Sequence, residues 1–262
     1  MKNAVIRSLL FWTLFTSLLF GLSLLTALAP PDWSQLLQAL MGTLAGFFLI
    51  WLFLKNEKRT FSDIGLVWDR YIIVRFLLGL LAGAAIFAVI LLVLVNCTGL
   101  ELKRSANEVT MQTLLDALLI IIPFAFMEEL VFRSYTFLKL EKTYGLLWTQ
   151  IIVAIAFALY HVVSGWSWQV AFLGPGSWGF VFGLAAFWSR GIALPTGLHA
   201  ALNFLQVLAG MKAGKASLWT LHLKQNTPDA NVLTNRVGIE IQITILIVGL
   251  IVTYLVARKK KT

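Results

Sequence analysis

The sequence predicts an all-α, polytopic membrane protein with eight transmembrane helices. Three observations carry that prediction. First, 59% of the 262 residues are hydrophobic, 13% are charged, and mean hydropathy is +0.85. Soluble domains run roughly 45–50% apolar and about 25% charged. Second, apolar residues fall in runs of the length a helix needs to cross a hydrocarbon layer about 30 Å thick. Third, basic residues collect on alternate loops.

The eight runs lie at 5–29, 36–54, 76–95, 114–138, 146–163, 168–188, 192–208 and 237–256. The first follows Lys2 and Arg7 and ends on Ala27-Leu28-Ala29, a pattern like a signal peptide with its cleavage site. Its apolar core is longer than a signal sequence uses, and a proline would follow the cut, so it is read as an uncleaved helix. The second, third and sixth runs carry Gly42/Gly46, Gly79/Gly83 and Gly179/Gly183, pairs four residues apart that suit close helix packing. Trp12, Trp33, Trp51, Trp148, Trp166 and Trp188 fall near run ends, where an interfacial aromatic belt is expected. Pro123 and Pro195 fall inside the fourth and seventh runs and are expected to bend them. No repeat or low-complexity tract divides the chain, so residues 1–262 are read as one integral membrane domain.

With the N-terminus in the cytoplasm, fourteen Lys and Arg fall on cytoplasmic segments and six on outer ones. This excess has the sign of the positive-inside rule, and it places both termini in the cytoplasm. The net charge of +9 is thus a matter of topology and of contact with anionic headgroups in the lipid bilayer. Nucleic acid is excluded as a partner, because no basic segment is long or interleaved with aromatics. The single cysteine, Cys97, says nothing about redox compartment. Oligomeric state leaves no mark on the sequence.

The fourth run contains PFAFMEELVFRSYTF, residues 123–137, with three charges in six residues. An ionised side chain at the bilayer centre costs about 2.5–3.5 kcal/mol on insertion scales. Glu129 and Arg133 are spaced i, i+4 with the acid first, the favourable order for an ion pair. Glu128 projects about 100° from Glu129 and about 140° from Arg133 on the same helix. It lacks a local partner, so its cost calls for a functional explanation.

Two of the three histidines also lie in apolar runs. His161 closes FALYH, residues 157–161, and His199 opens HAALN, residues 199–203, where Asn203 shares its helix face. The midpoint between Glu128 and His161 falls on Tyr144-Gly145, where the turn between the fourth and fifth helices is expected. Glu128 lies about 15 Å from Leu138, and His199 about 13 Å from Arg190, at 1.5 Å per residue. Equal depths predict a pocket halfway across the membrane that opens to the cytoplasm.

These segments, in this order, resemble the motifs of the CPBP family, the CAAX proteases and bacteriocin-processing membrane peptidases also called Abi proteins. EELVFR is similar to its Glu-Glu-x-x-x-Arg motif, FALYH to Phe-x-x-x-His, and HAALN to His-x-x-x-Asn, over a core of residues 123–203. The resemblance implies catalytic residues on helices four, five and seven. Glu128 and His161 would activate water, while His199 and Asn203 would stabilise the oxyanion. Glu129, Arg133 and Phe157 are the remaining motif positions and support the site. The implied activity is hydrolysis of a peptide bond in a membrane-associated peptide or protein, in a prokaryotic cell membrane.

The residues themselves leave two routes to an activated water. Glu128, His161 and His199 form the Glu/His/His set that catalytic Zn2+ uses. The strong His-Glu-x-x-His zinc signature is missing, and Asn203 is a poor zinc ligand but a good oxyanion donor. A metal-free route by general-base catalysis is the other. Two further functions share these residues. Buried Glu and His also mark proton- or ion-coupled transporters, although no inverted repeat is present. A catalytically silent scaffold or immunity protein would carry the same motifs.

Overall fold

The computed structural model describes residues 2–66, 69–106, 109–212, 217–224 and 230–259. Lys215, Lys260 and Lys261, counted above, lie outside them. The helices are α1 (Lys2–Thr26), α2 (Pro31–Asn56), α3 (Ile72–Cys97), α4 (Met111–Arg133), α5 (Tyr135–Val163), α6 (Trp168–Ala171), α7 (Ser177–Ser189), α8 (Ala193–Leu208) and α9 (Ala230–Lys259). A single π-helical turn, Phe172–Gly176, joins α6 to α7. The chain is a multi-pass integral membrane protein. Leu, Ile and Val side chains stand exposed along α1, α2, α3 and α9, as they do on helices solvated by lipid.

Six segments are long and apolar enough to cross a membrane among the described residues, against the eight expected. The difference lies in two places. Met111–Val163 counts as one segment, although it holds two breaks. At Ser134 the backbone leaves helical geometry (φ −102°, ψ −105°), and at Gly145 it turns again (φ 76°, ψ 173°). The second break falls on the expected turn. The first was not anticipated, and it ends α4 at Arg133 rather than near Leu138. The other difference is α8. Its 16 residues span about 24 Å, shorter than a hydrocarbon layer.

The all-α, polytopic description holds, with one short β-ribbon added at one end. Leu100–Arg104 (β1) pairs antiparallel with Trp219–Leu223 (β2), with Leu100 opposite Leu223 and Arg104 opposite Trp219. WTLHL alternates apolar and polar residues with period two, as LELK does before Arg104, and the two strands form a ribbon where the chain leaves the helices.

Packing fixes α8, the helix that carries His199 and Asn203. It lies along α3, where Gly79 and Gly83 face its backbone; a Cβ at Gly83 would sit 2.6 Å from the Leu198 carbonyl oxygen. Gly197 of α8 faces Phe76 of α3 in the same way. Gly42 and Gly46 of α2 meet Met127, Val131 and Leu130 of α4, and Gly179 of α7 meets Ala154 of α5. The small-residue pairs therefore serve the close packing expected of them. Pro195 falls in the first turn of α8, where its missing N–H costs no helical bond. α4 continues as helix through Pro123. Trp33, Trp51, Trp148, Trp166 and Trp188 are exposed, as belt residues should be, but Trp12 is buried and stacks on Phe132.

The loops sort onto two ends of the bundle. At one end Glu57, just past α2, accepts from Arg7 of α1 (2.7 Å), from Tyr135 (2.5 Å) and from Lys139 of α5. Gly65 abuts Arg190 and Gly191. The β-ribbon lies at the other end, after α3 and before α9. This grouping matches the sequence-based division of the loops into two sides.

Candidate active site

A cavity of about 620 Å³ is lined by Glu128, Phe157, His161, His199 and Asn203 together. Four elements position them. α4 supplies Glu128, α5 supplies Phe157 and His161, and α8 supplies His199 and Asn203, with α7 closing the wall through Trp178 and Phe182.

His199 is the most constrained of these residues. Its Nδ1 lies 2.9 Å from Glu129 Oε1, and its Nε2 lies 3.7 Å from Glu128 Oε2. A carboxylate only accepts, so Nδ1 is the donor and Nε2 is presented to Glu128. Phe182 stacks on the ring at 4.4 Å between centroids and 15° between planes, which fixes its tilt. Glu129 is fully buried and shares the same oxygen with Arg133 Nη1 at 3.4 Å. The sequence pairs Glu129 with Arg133 alone; in the structure its shorter bond goes to His199.

Arg133 is held chiefly by rings. Its guanidinium carbon lies 4.2 Å from the centre of Phe157, 5.4 Å from Phe182 and 5.8 Å from Phe132. A cation enclosed by ring faces gains more from their quadrupoles once it is desolvated. Phe157 thus has a double contact, since its ring also lies perpendicular to His161 with centroids 4.7 Å apart.

His161 donates from Nδ1 to the Phe157 carbonyl one turn back at 2.8 Å, which leaves Nε2 as its remaining nitrogen. Its ring sits among Phe157, Tyr160 and Trp166. His161 and Glu128 share the cavity lining without forming an ion pair. Asn203 Oδ1 accepts from Lys212 Nζ at 2.9 Å, a contact with a residue that sequence reasoning left among the outer-loop charges.

Among the described residues, no three His, Cys, Asp or Glu side chains are placed to hold one metal ion. Glu128, His161 and His199 are not grouped in that way, and the chemistry below is written without a metal.

The cavity does not open where it was expected. From Glu128 it follows α4 back through Phe124, Ile120 and Asp116 to Thr113, in the first turn. Gln35, Trp166, Lys212 and Gln242 line it as well. These residues lie at the β-ribbon end, away from Arg7, Glu57 and Lys139. Depth along the helices could show that the residues meet, but not which end of the bundle is left open. That depends on how α2, α4 and α9 splay.

No curated protein matches the chain. Over residues 110–205, which hold all four candidate catalytic residues, the chain matches the family model described as Type II CAAX prenyl endopeptidase Rce1-like, and this is consistent with the CPBP/CAAX protease family.

Proposed function

We propose that this protein is an intramembrane endopeptidase that hydrolyses a peptide bond of a membrane-associated peptide or protein without a metal. The observation that carries the reading is the convergence of Glu128, His161, His199 and Asn203 on one cavity. Glu128 takes a proton from a water molecule, and His161 Nε2 holds that water or passes the proton on. The water oxygen attacks the scissile carbonyl carbon. The carbonyl oxygen becomes negative and is met by the Asn203 amide and by His199 Nε2 when that nitrogen carries a proton. The C–N bond then breaks, and the leaving nitrogen takes the proton held at Glu128. Glu129 keeps the His199 ring in place, and Arg133 offsets the charge of Glu129.

The family description points to a CAAX-type substrate carrying a prenyl chain. The cavity suits one. Ile120, Ile121, Phe124, Trp178 and Leu202 line it with apolar surface that would cover a hydrocarbon chain. We read residues 1–262 as one domain with eight crossings and both termini cytoplasmic.

The test uses purified protein in lipid vesicles with a farnesylated peptide carrying three residues after the modified cysteine. Glu128→Gln should bind this peptide as wild type does and cleave none of it, because an amide has the shape of a carboxylate but is a far weaker base. Asn203→Ala should lower the rate by about 10²–10³, the usual cost of one oxyanion donor. Cleavage by Glu128→Gln at the wild-type rate would overturn the assignment.

A further inference from the structure

We propose that Lys212 is a positioning residue of this site, fixing the Asn203 amide so that its NH2 group faces the reacting carbonyl. The proposal rests on the endopeptidase reading above, and it adds a residue outside the 110–205 family match.

The placement of Lys212 is built into the end of α8. Met211 N–H bonds to the Gln206 carbonyl at 2.9 Å, and Gly210 N–H to the Val207 carbonyl at 3.0 Å. These are the two bonds of a Schellman cap, with Gly210 in the left-handed region at φ 70°. A side chain at 210 would be strained by that φ, and its Cβ would lie 2.6 Å from the Trp219 carbonyl oxygen of β2. Cap and strand together fix where the chain leaves the helix. Two residues later Lys212 reaches back over the last turns of α8 and donates to Asn203 Oδ1 at 2.9 Å.

The chemistry of that bond fixes the amide. An ammonium has three donors and no acceptor, so the Asn203 atom that faces it must be the carbonyl oxygen. The amide is planar, and with Oδ1 held its Nδ2 occupies the other fork. Both residues line the cavity, so the two protons on Nδ2 are available to a substrate oxygen there. Preorganised donors contribute most because they need no reorientation when charge develops. A positive charge on Oδ1 also polarises the amide and makes Nδ2–H a stronger donor in a low-dielectric site.

Two measurements test this in the full-length protein in vesicles. The first needs no substrate: the side-chain amide resonance of Asn203 in asparagine-labelled protein. Lys212→Met should shift and broaden it, and Lys212→Arg should hold it near the wild-type position. The second follows cleavage of the farnesylated peptide. Lys212→Met should lower kcat about ten- to a hundredfold, below the cost of deleting the donor itself, with KM unchanged. Lys212→Arg should recover most of that loss. In an Asn203→Ala background Lys212→Met should cost nothing more, since both changes remove the same function. An equal loss in both backgrounds would overturn the proposal, as would a raised KM with unchanged kcat, which would make Lys212 a substrate-binding residue. An unmoved Asn203 resonance overturns it whether or not the peptide is cleaved. Absence of cleavage by wild type, with the resonance shifted as expected, would count against the endopeptidase reading instead.

Discussion

Arg133 illustrates how a buried charge is tolerated at this site. Only its Nη1 approaches Glu129, while Nε and Nη2 lack a hydrogen-bond partner among the described residues. Its compensation therefore comes from charge and from three ring faces, with little from directed bonds. Removing it leaves Glu129 buried with only His199 to balance it. Arg133→Ala should destabilise the protein by about 3–5 kcal/mol, the cost of breaking a buried pair by removing one partner. Arg133→Lys should recover little, because an ammonium cannot stack as the planar guanidinium does. Unfolding in detergent reads both. Unchanged stability with activity alone lost would make Arg133 a substrate-contacting residue. The four candidate residues were legible in the sequence because lipid makes each of them costly, so each stands out from its apolar run. The partners of those residues were not. Helical spacing pairs Glu129 with Arg133 on its own helix, but the bond to His199 depends on how α8 faces α4. Lys212 was missed because it lies beyond the run, although Gly210 directly after the last apolar turn is a helix-stop signal that bends the chain back.

At the level of elements, one carboxylate ties three helices together away from the cavity. Glu57 joins α1, α2 and α5 through Arg7, Tyr135 and Lys139. Burial pushes the Glu57 carboxyl up, but the hydrogen bonds from Lys139, Tyr135 and Arg7 outweigh it and hold the group below its ordinary range. A depressed folded-state value means that the stabilisation is complete above the ordinary glutamate value of 4.5 and is lost as pH falls below it. Melting in detergent should therefore drop as pH falls below 4.5, and Glu57→Gln should show a shallower drop from a lower start. Equal slopes would mean that this carboxylate does not titrate on unfolding. The sequence showed Glu57 only as one charge in a basic loop. The break at Ser134, which turns the start of α5 so that Tyr135 and Lys139 reach Glu57, has no glycine or proline to mark it. The β-ribbon did carry a signal in the alternation of LELKR and WTLHL, but five residues are too few to stand out against spans of twenty.

For the whole molecule, the open end of the cavity and the distribution of charge must be read together. Ten of the chain's 21 Lys and Arg fall near Arg7, Lys58, Lys139 and Arg190, at the end opposite the β-ribbon, against six on the segments assigned to the other side. The positive-inside rule then predicts that the ribbon, and with it this end of the cavity, faces the outer side of the membrane. A substrate would enter from that side, so the scissile bond would lie in a segment already across the bilayer or within its outer half. Cysteine labelling decides between the two orientations. Cys97 is exposed and is first replaced by serine. Single cysteines are then placed at Ser164, beside the cavity rim, and at Thr60, in the α2–α3 loop; both positions are exposed. A membrane-impermeant maleimide added to intact cells should label Ser164→Cys at once, and Thr60→Cys only after lysis. The reverse pattern would invert the molecule, open the cavity to the cytoplasm, and make this chain an exception to the charge rule.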